Sequence, residues 1–571
     1  MTPQSGLEAL GRDELARLAP EYLLAGHLID RAGMPHLIGA FGRDVMRDIA
    51  IEEWRGASPV YTRRMQQALG FEGDSVETIF KGMQIDVGAP PQFMDFRYVV
   101  TDHDHGEFWL DHCGALMDVE PMGPDYVQAM CHDIEDPTFD ATATATNSRA
   151  QVRPIHRPPR VPADRAPHCQ WTVTINDAHP ALPVPDEAKL IAITRAALLA
   201  LAPIDPDDSG RHEYTGPLVA DLDFADWSAS ALRRITDEVC LQGHLLVLSF
   251  LAATAARTAR PEDAVAIGRH QFTGVAGVAA ERFRDALDLP PTLHGAATLL
   301  RLHPGLQPYE YVRCDVDLGD RLVVRLARDT GATVDGAWPS MLDAEHLEPL
   351  DAIVRTIDDH FRCEPISDDA DGLVVEVVRG ATAVPVSDDV FLTRFSTGAT
   401  HVFEDRGTPV ELRTGGRPTS GTEVPAGRVV AVGQSSRVGS ITSDWISSGS
   451  ISSGPIRSGS ISSGPSLRTL PTVLATRWWT SVPAGDATSN DSSSGLSRLA
   501  GSSHSSSTAG SSTTGIRWWM SPMSGPASVV ITVQVRIAGR SPSGSSAAPG
   551  PPHHCSHSPA SASGCPSARV K

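Results

Sequence analysis

Apolar residues near the start of the chain recur at helical spacing, and the pattern then changes to one typical of strands. Steps of three and four residues predict helices over 12–50, at 60–69 and at 76–83, with Gly70 ending the second. Alternation from Phe93 to Val100, a polar turn at 102–106 and a second apolar run then predict a β-hairpin.

The segment after the hairpin is less regular. We predict a helix at 124–130, with Cys131 at or just beyond its carboxyl end. A long polar loop at 136–168 and a strand at 170–175 follow. A short apolar helix is expected at 189–201, between segments rich in Pro and Asp.

Several segments of this first half recur later in the same order. Gly243-His244-Leu245 repeats Gly26-His27-Leu28 at an offset of 217 residues, and 279–289 resembles 61–71 at an offset of 218. Segment 309–324 resembles 96–111 at an offset of 213, which places Tyr98 on Tyr311 and Gly106 on Gly319. The fixed order indicates a tandem duplication. Chance similarity between two α+β segments is the alternative.

The predicted fold class is therefore α+β, with tandem duplicated helix–hairpin–helix–strand domains and a disordered low-complexity tail. The predicted divisions are a first domain at 1–175, a linker with a short helix at 176–238, a degenerate second copy at 239–414, and the tail at 415–571.

The tail differs from the rest in composition. Ser, Gly, Thr and Pro dominate it, a ten-residue repeat begins at Gly439, and 12 Lys or Arg stand against four Asp or Glu. Such a segment buries too little apolar surface to offset its ordering entropy, so disorder is expected. Translation of a shifted reading frame is a second interpretation. We assign no chemistry to its Cys555, Cys565, His553 or His554.

Composition narrows the classes of function. A net charge of −21 argues against nucleic-acid binding, which needs clustered Lys and Arg. Lysine occurs only three times, a bias typical of a GC-rich coding sequence. The apolar run at 245–256 is too short to span a bilayer, so no membrane association is expected. Eight scattered cysteines indicate free or metal-bound thiols in a reducing, cytoplasmic setting.

Chemically capable side chains concentrate between Phe108 and Thr174. Zinc takes thiolate and imidazole ligands, so Cys113, Cys131 and Cys169 with one histidine would form a site. Their separations of 18 and 38 residues include no paired-cysteine knuckle, so the spacing by itself is a weak signal. Core cysteines are the structural alternative, because free Cys is among the most buried residue types.

Thiol catalysis is a further interpretation of the same stretch. Cys131 would be the nucleophile or a metal ligand, with His132 beside it, and Asp133 would either orient an imidazole or act as the base. A helix carboxyl end raises a thiol pKa, so a cation from the arginine-rich loop would be needed. We predict that this loop binds the substrate, and that a substrate carboxylate is held by Arg153, His156 and Arg165.

Two other histidine-bearing motifs favour structural roles. The DHDHG segment at 102–106 is rich in turn-forming residues and needs no metal. His27 and His244 lie on apolar helices, where core histidines are commoner than ligands.

The order of Cys113, the MCHDIED motif, an arginine-bearing loop and HCQWTV resembles the L-2-amino-thiazoline-4-carboxylic acid hydrolase family. The resemblance covers about 26–175, with 243–380 as a degenerate copy. It implies a small α+β domain that opens a sulfur–nitrogen heterocycle by hydrolysis, with Cys113, Cys131, Asp133 and Cys169 as its functional residues. The chain departs from the family in its length and in the Pro-rich loop at 157–165.

The leading hypothesis is a hydrolase-like protein acting on a small carboxylated or sulfur- and nitrogen-containing molecule through a Cys/Asp/His site. Zinc is the cofactor that the thiol set would favour. The alternative is a non-catalytic module that binds a small molecule or zinc. Homo-oligomerisation is left open.

Overall fold

The computed structural model describes residues 6–394, so the predictions for the tail lie outside the described residues. Helix α1, Arg12–Phe41, begins where the Gly11 amide donates to the Glu14 carboxylate at 2.8 Å. It ends at Gly42, whose φ of 84° favours glycine, and α2, Arg43–Ala68, starts at once. The predicted separate helix at 60–69 is therefore the last part of α2 and continuous with it.

A four-stranded antiparallel sheet follows these helices. Its strands are β1, Met94–Val100, β2, His105–Cys113, β3, Ala150–His156, and β4, Cys169–Ile175, in the spatial order β1-β2-β4-β3. The hairpin of β1 and β2 confirms the alternation in the sequence, and its apolar face packs Phe108 against Trp171 of β4.

The predicted loop at 136–168 is the main error in this half. A π-helical turn at Ala129–Ile134 runs without a break into a helix at Glu135–Ala143, so Cys131 lies within a helical segment. The first part of the region thus continues the helix, and β3 forms further on. That strand lies at the sheet edge, where Pro154 is tolerated and the apolar alternation is weak.

The second half contains two more long helices and a second sheet. Helices α9, Ala229–Ala255, and α10, Pro261–Leu287, precede it. Its strands are β5, Cys314–Leu318, β6, Leu322–Ala327, β7, Phe361–Asp368, and β8, Gly372–Arg379, in the order β5-β6-β8-β7. The shorter α-helices within residues 6–394 are α3 Val76–Met83, α4 Gly114–Val119, α5 Pro124–Gln128, α6 Glu135–Ala143, α7 Asp186–Ile191, α8 Arg195–Leu198, α11 Leu293–Leu302, α12 Tyr309–Val312, α13 Gly331–Asp335, α14 Glu348–Val354 and α15 Asp388–Arg394.

The predicted match of Tyr98 to Tyr311 is wrong. Tyr98 lies in β1, whereas Tyr311 lies in α12, ahead of β5.

The long helices form one core. Helix α1 packs on α9 and α10, and α2 packs on α9, with all described residues in one compact unit. The mixed α+β class is thus confirmed. Helix α9 is long and apolar enough to cross a membrane, but 78% of its most apolar window is buried inside the protein, as is usual for a core helix.

A buried ion pair links α2 to α9. Arg64 donates to both carboxylate oxygens of Glu238, at 2.9 and 3.0 Å, and also to the carbonyls of Ala197 and Leu199. Arg234 contacts the same carboxylate, whose side chain is only 2% exposed.

We predict that Arg64→Met lowers the free energy of unfolding by roughly 2–3 kcal/mol, because the buried Glu238 carboxylate would keep only Arg234 of its two arginine partners. Urea denaturation of the full chain measures this. Arg260→Met removes an exposed pair with Asp263 and should leave the free energy of unfolding close to that of the wild type, because solvent screens such pairs. Equal losses in the two variants would contradict the structural role assigned to Arg64.

Candidate functional site

Three separate elements bring the predicted thiols into one region. Cys113 ends β2, and its Sγ accepts the Leu116 amide of α4 at 3.4 Å. Cys169 begins β4 and pairs in register with Leu110 of β2. Cys131 lies in the π-helical turn, and all three side chains are buried in the main core.

The carboxyl group of Glu135 acts on all three sulfurs. Burial, and then Glu135, raise the pKa of Cys113 to about 12 and those of Cys131 and Cys169 well above their usual value. Cys113 and Cys169 also raise the pKa of Cys131. We call these four residues the thiol cluster. Its sulfurs are protonated at neutral pH.

Glu135 itself is an unusual acid. Burial and then Asp136 raise its pKa to about 8, against an opposing effect of Arg157. Its Oε2 is enclosed and has no hydrogen-bond partner among the described residues, although part of the side chain reaches the surface. The carboxyl is therefore mainly protonated near neutral pH.

The predicted catalytic partners of Cys131 make other contacts. His132 Nε2 lies 2.7 Å from the Pro158 carbonyl oxygen. Asp133 accepts from Gln128 at 3.0 Å and pairs with Arg47 at 3.5 Å. In the described chain neither side chain bonds to Cys131, because consecutive residues on a helical turn project in different directions.

The structure brings two of the three predicted substrate-binding residues near each other. His156 is half-buried, and burial and then Arg165, which is exposed, lower its pKa. Arg153 is instead bound to both oxygens of Asp140 at 2.9 Å, which ties β3 to α6. Of the three, Arg153 is thus already engaged by a carboxylate.

The spacing of the sulfurs does not match a closed metal site. Zn–S bonds of about 2.3 Å place the sulfurs of a tetrahedral site about 4 Å apart. Within residues 6–394, the three sulfurs form no group of ligand atoms lying within 4.8 Å of one another. Nδ1 of His168 accepts the Cys113 amide at 3.1 Å, so this nitrogen is already engaged.

A second group of polar side chains is buried between α1 and α2. Glu53 is 0% exposed, and neither of its carboxyl oxygens has a hydrogen-bond partner in the described residues. Asp30, whose pKa burial raises to about 7, acts on Glu53 and accepts from Trp54 at 3.3 Å. His27 lies beside the same Trp54, with ring centroids 6.4 Å apart, and burial and then Asp86 and Glu53 raise the pKa of Tyr61 between them. We call Asp30, Glu53, Asp86 and His27 the acid cluster.

Burial governs the charge of this cluster. It raises the pKa of Glu53 well above its usual value and that of Asp86 to about 6, while Tyr61 and Gly88 donate to Asp86 at 2.8 and 2.7 Å. It lowers the pKa of His27 to about 3, and His27 Nδ1 has no hydrogen-bond partner among the described residues. Near neutral pH, Glu53 and His27 are therefore uncharged, Asp30 is about half ionised and Asp86 is mainly ionised.

Phe93 and Arg31 connect the two clusters. The Phe93 carbonyl accepts the Gly114 amide, next to Cys113, at 2.8 Å, and its ring lies 4.6 Å from that of His27. Arg31 lies over the same ring and pairs with Asp118 of α4 at 2.7 Å. The thiol and acid clusters are thus neighbouring parts of one buried polar region.

Sequence reasoning found the thiols but not the acids. Asp118 and Glu135 lie among the carboxylates of the stretch from Phe108 to Thr174, but the sequence assigns them no role. Asp30 and Glu53 lie outside that stretch and are not predicted as site residues. Their one sequence signal is position, since Asp30 and Glu53 interrupt the apolar faces of two long helices. Comparison with protein-family models, curated proteins and solved structures gives no match.

We predict that the stability of the wild-type protein falls from about pH 4.5, the ordinary glutamate value, to about pH 8, partly because the folded state holds the Glu135 proton that the unfolded chain releases. Glu135→Gln should flatten this fall, measured as the urea midpoint at several pH values.

The exposed Glu345→Gln is the matched control for that pH series and should follow the wild type. Parallel curves for wild type and Glu135→Gln would contradict a raised Glu135 pKa.

Proposed function

We propose that the protein binds a small, positively charged nitrogen compound at the acid cluster. One observation carries the proposal: Glu53 is fully buried, and neither carboxyl oxygen has a partner in the described residues. A buried carboxyl without a hydrogen bond costs on the order of 1–3 kcal/mol, which a ligand that donates to it would recover.

Charge supports a cation as that ligand. With pKa values of about 7 and 6, Asp30 is about half ionised and Asp86 mainly ionised near neutral pH, so both favour a positive group. The buried cation Arg31 pairs with Asp118. An ammonium or amidinium group would supply a positive charge for these acids and the N–H donors that Glu53 lacks among the described residues.

Size and ring placement favour an organic cation over a metal ion. The acid cluster is not among the groups in residues 6–394 whose ligand atoms lie within 4.8 Å of one another. Trp54 and Phe93 flank it, with ring centroids 6.4 and 4.6 Å from that of His27. Aromatic faces attract organic cations.

Hydrolysis at the thiol cluster is the second candidate function. The observation that favours it is the Glu135 carboxyl, whose pKa of about 8 suits proton transfer near neutral pH. In this proposal the Cys131 sulfur bonds to the C=N carbon of a cyclic amidine, and the π electron pair of that bond moves to the nitrogen. The protonated Glu135 carboxyl gives its proton to this nitrogen and takes up the Cys131 proton in return. A ring bond to the same carbon then breaks, and water releases the ring-opened product from the sulfur. The resemblance to the L-2-amino-thiazoline-4-carboxylic acid hydrolase family supports that substrate class.

We also infer that the two halves of the described chain are a tandem duplication. Both sheets have the same strand order, and the α1–α10 contact corresponds to the α9–α2 contact. Asp140 accepts the Val152 amide in the first half, and Asp351 accepts the Cys363 amide at the same separation of 12 residues in the second. The second half keeps this scaffold contact.

A reducing, cytoplasmic location belongs to the same proposal. The six cysteines in residues 6–394 are all unpaired thiols. Thiols persist in that state where glutathione and thioredoxin keep them reduced.

We expect 2-amino-2-thiazoline and agmatine to raise the melting temperature of the full chain, and neutral thiazoline to leave it unchanged. Glu53→Gln should weaken binding by about tenfold or more, because one carboxylate partner of the cation is lost. Calorimetry measures the affinity.

The control for this binding experiment is Glu348→Gln, which changes an acid in the first turn of α14. Equal affinity in wild type and Glu53→Gln, or equal binding of the neutral thiazoline, would contradict the proposed site.

Turnover separates the two candidates. If hydrolysis occurs, Cys131→Ser should lower the rate of ring opening of 2-amino-thiazoline-4-carboxylate by about 100-fold or more, while Cys240→Ser leaves it within about threefold. Binding without ring opening by the wild type would support the binding module and exclude the hydrolase.

A further inference from the structure

A separate group of metal-capable side chains lies where the last described helix meets the bundle. His36 on α1, His270 on α10 and Asp389 on α15 direct their ligand atoms to one point, all within 4.8 Å of one another. His36 Nε2 lies 3.4 Å from Asp389 Oδ1, and His270 Nδ1 lies 3.1 Å from Asp389 Oδ2.

These distances match those between ligands of a small divalent ion. Nitrogen and oxygen ligands about 2.1 Å from a tetrahedral zinc ion lie about 3.4 Å apart. The two imidazole rings are stacked, with centroids 4.8 Å apart and planes 16° from parallel, so both present an edge nitrogen to the same carboxylate. Three ligands are thus placed before any ion binds.

The surroundings orient the carboxylate and leave one side open. The Ser387 hydroxyl donates to Asp389 Oδ2 at 3.3 Å, and the Asp389 amide donates to Ser387 Oγ at 3.1 Å. Such second contacts orient metal ligands. The side chains of His36 and Asp389 are 12% and 16% exposed, whereas that of His270 is 55% exposed. An ion can therefore enter beside His270 and keep a water ligand.

We infer that His36, His270 and Asp389 bind a zinc-class divalent cation that fixes α15 to α1 and α10. Tight packing of α15 supports this role. A Cβ on Gly277 of α10 would lie 2.5 Å from Val390, and the Thr393 carbonyl accepts from buried Arg31 at 2.8 Å. The ion therefore joins α15, which covers Arg31, to α1 and α10.

Zinc titration of the full chain, purified with chelator and reduced, tests the site. The total zinc bound per chain does not test this site by itself, because the cysteines and the histidines of the tail are further possible ligands. The zinc binding of each variant is therefore compared with that of the wild type. Wild type should bind one equivalent more than His270→Ala and Asp389→Asn, or bind that equivalent at least about tenfold more tightly. His346→Ala is the matched control, since His346 contacts Asp343 at 2.7 Å without a third ligand.

Tryptic cleavage after Arg394 gives a second measurement. Zinc should slow this cleavage in wild type and in His346→Ala, but not in His270→Ala. Because the His270 side chain is exposed, its removal should not unfold the protein, so unfolding would not explain the difference. Equal zinc binding by wild type, His270→Ala and Asp389→Asn would overturn the site. Cleavage that zinc slows equally in His270→Ala would overturn its role in fixing α15.

Discussion

Close packing of the long helices is the constraint on which the rest of the structure depends. A Cβ on Gly56 of α2 would collide with Ser249 of α9, and one on Gly33 of α1 would collide with Phe250. Helices that approach this closely shield the side chains beside their contacts from bulk water. Asp30 and Glu53 lie on those same two helices, so burial disfavours their charged forms and raises the pKa of both carboxyl groups. The unusual acids follow directly from the packing.

Helix α1 connects the features that carry chemistry. His27 and Asp30 belong to the acid cluster, and Arg31 reaches Asp118 beside the thiol cluster. His36, five residues after Arg31, faces α15. Arg31 also donates to the carbonyl of Thr393, so α15 covers the polar region through a buried contact. A movement of α15 would change the environment of Arg31, and through Asp118 that of α4, which Cys113 caps. The acid cluster, the thiol cluster and the group of His36, His270 and Asp389 are therefore connected through α1 and α15.

The sequence was most informative where one residue pattern decides local structure. Helical spacing found α1 and the range of α3, and alternation found the first hairpin and β4. It failed at α6 and β3, because a short polar helix and a Pro-bearing edge strand show no strong periodicity.

The thiols were predicted to lie in one region, and they do. The partners proposed for Cys131 were its neighbours in sequence, whereas Glu135, four residues on, lies on the same helical face. Acids on α1 and α2 could not be told from surface acids until tertiary packing placed them inside.

Under the proposed duplication, equivalent buried positions in the two halves hold different side chains. Offsets of 217 on α1 and 218 on α2 place Asp30 on Val247 and Glu53 on Gln271. Gln271 is as buried as Glu53, but its amide donates to the Ile29 carbonyl at 3.0 Å and accepts from Trp338 at 3.2 Å. The second half thus fills this position with a neutral side chain whose hydrogen bonds are satisfied. The scaffold alone does not need a carboxyl there. An acid that costs stability in the first half, where a glutamine would fold, is best explained by something that it binds.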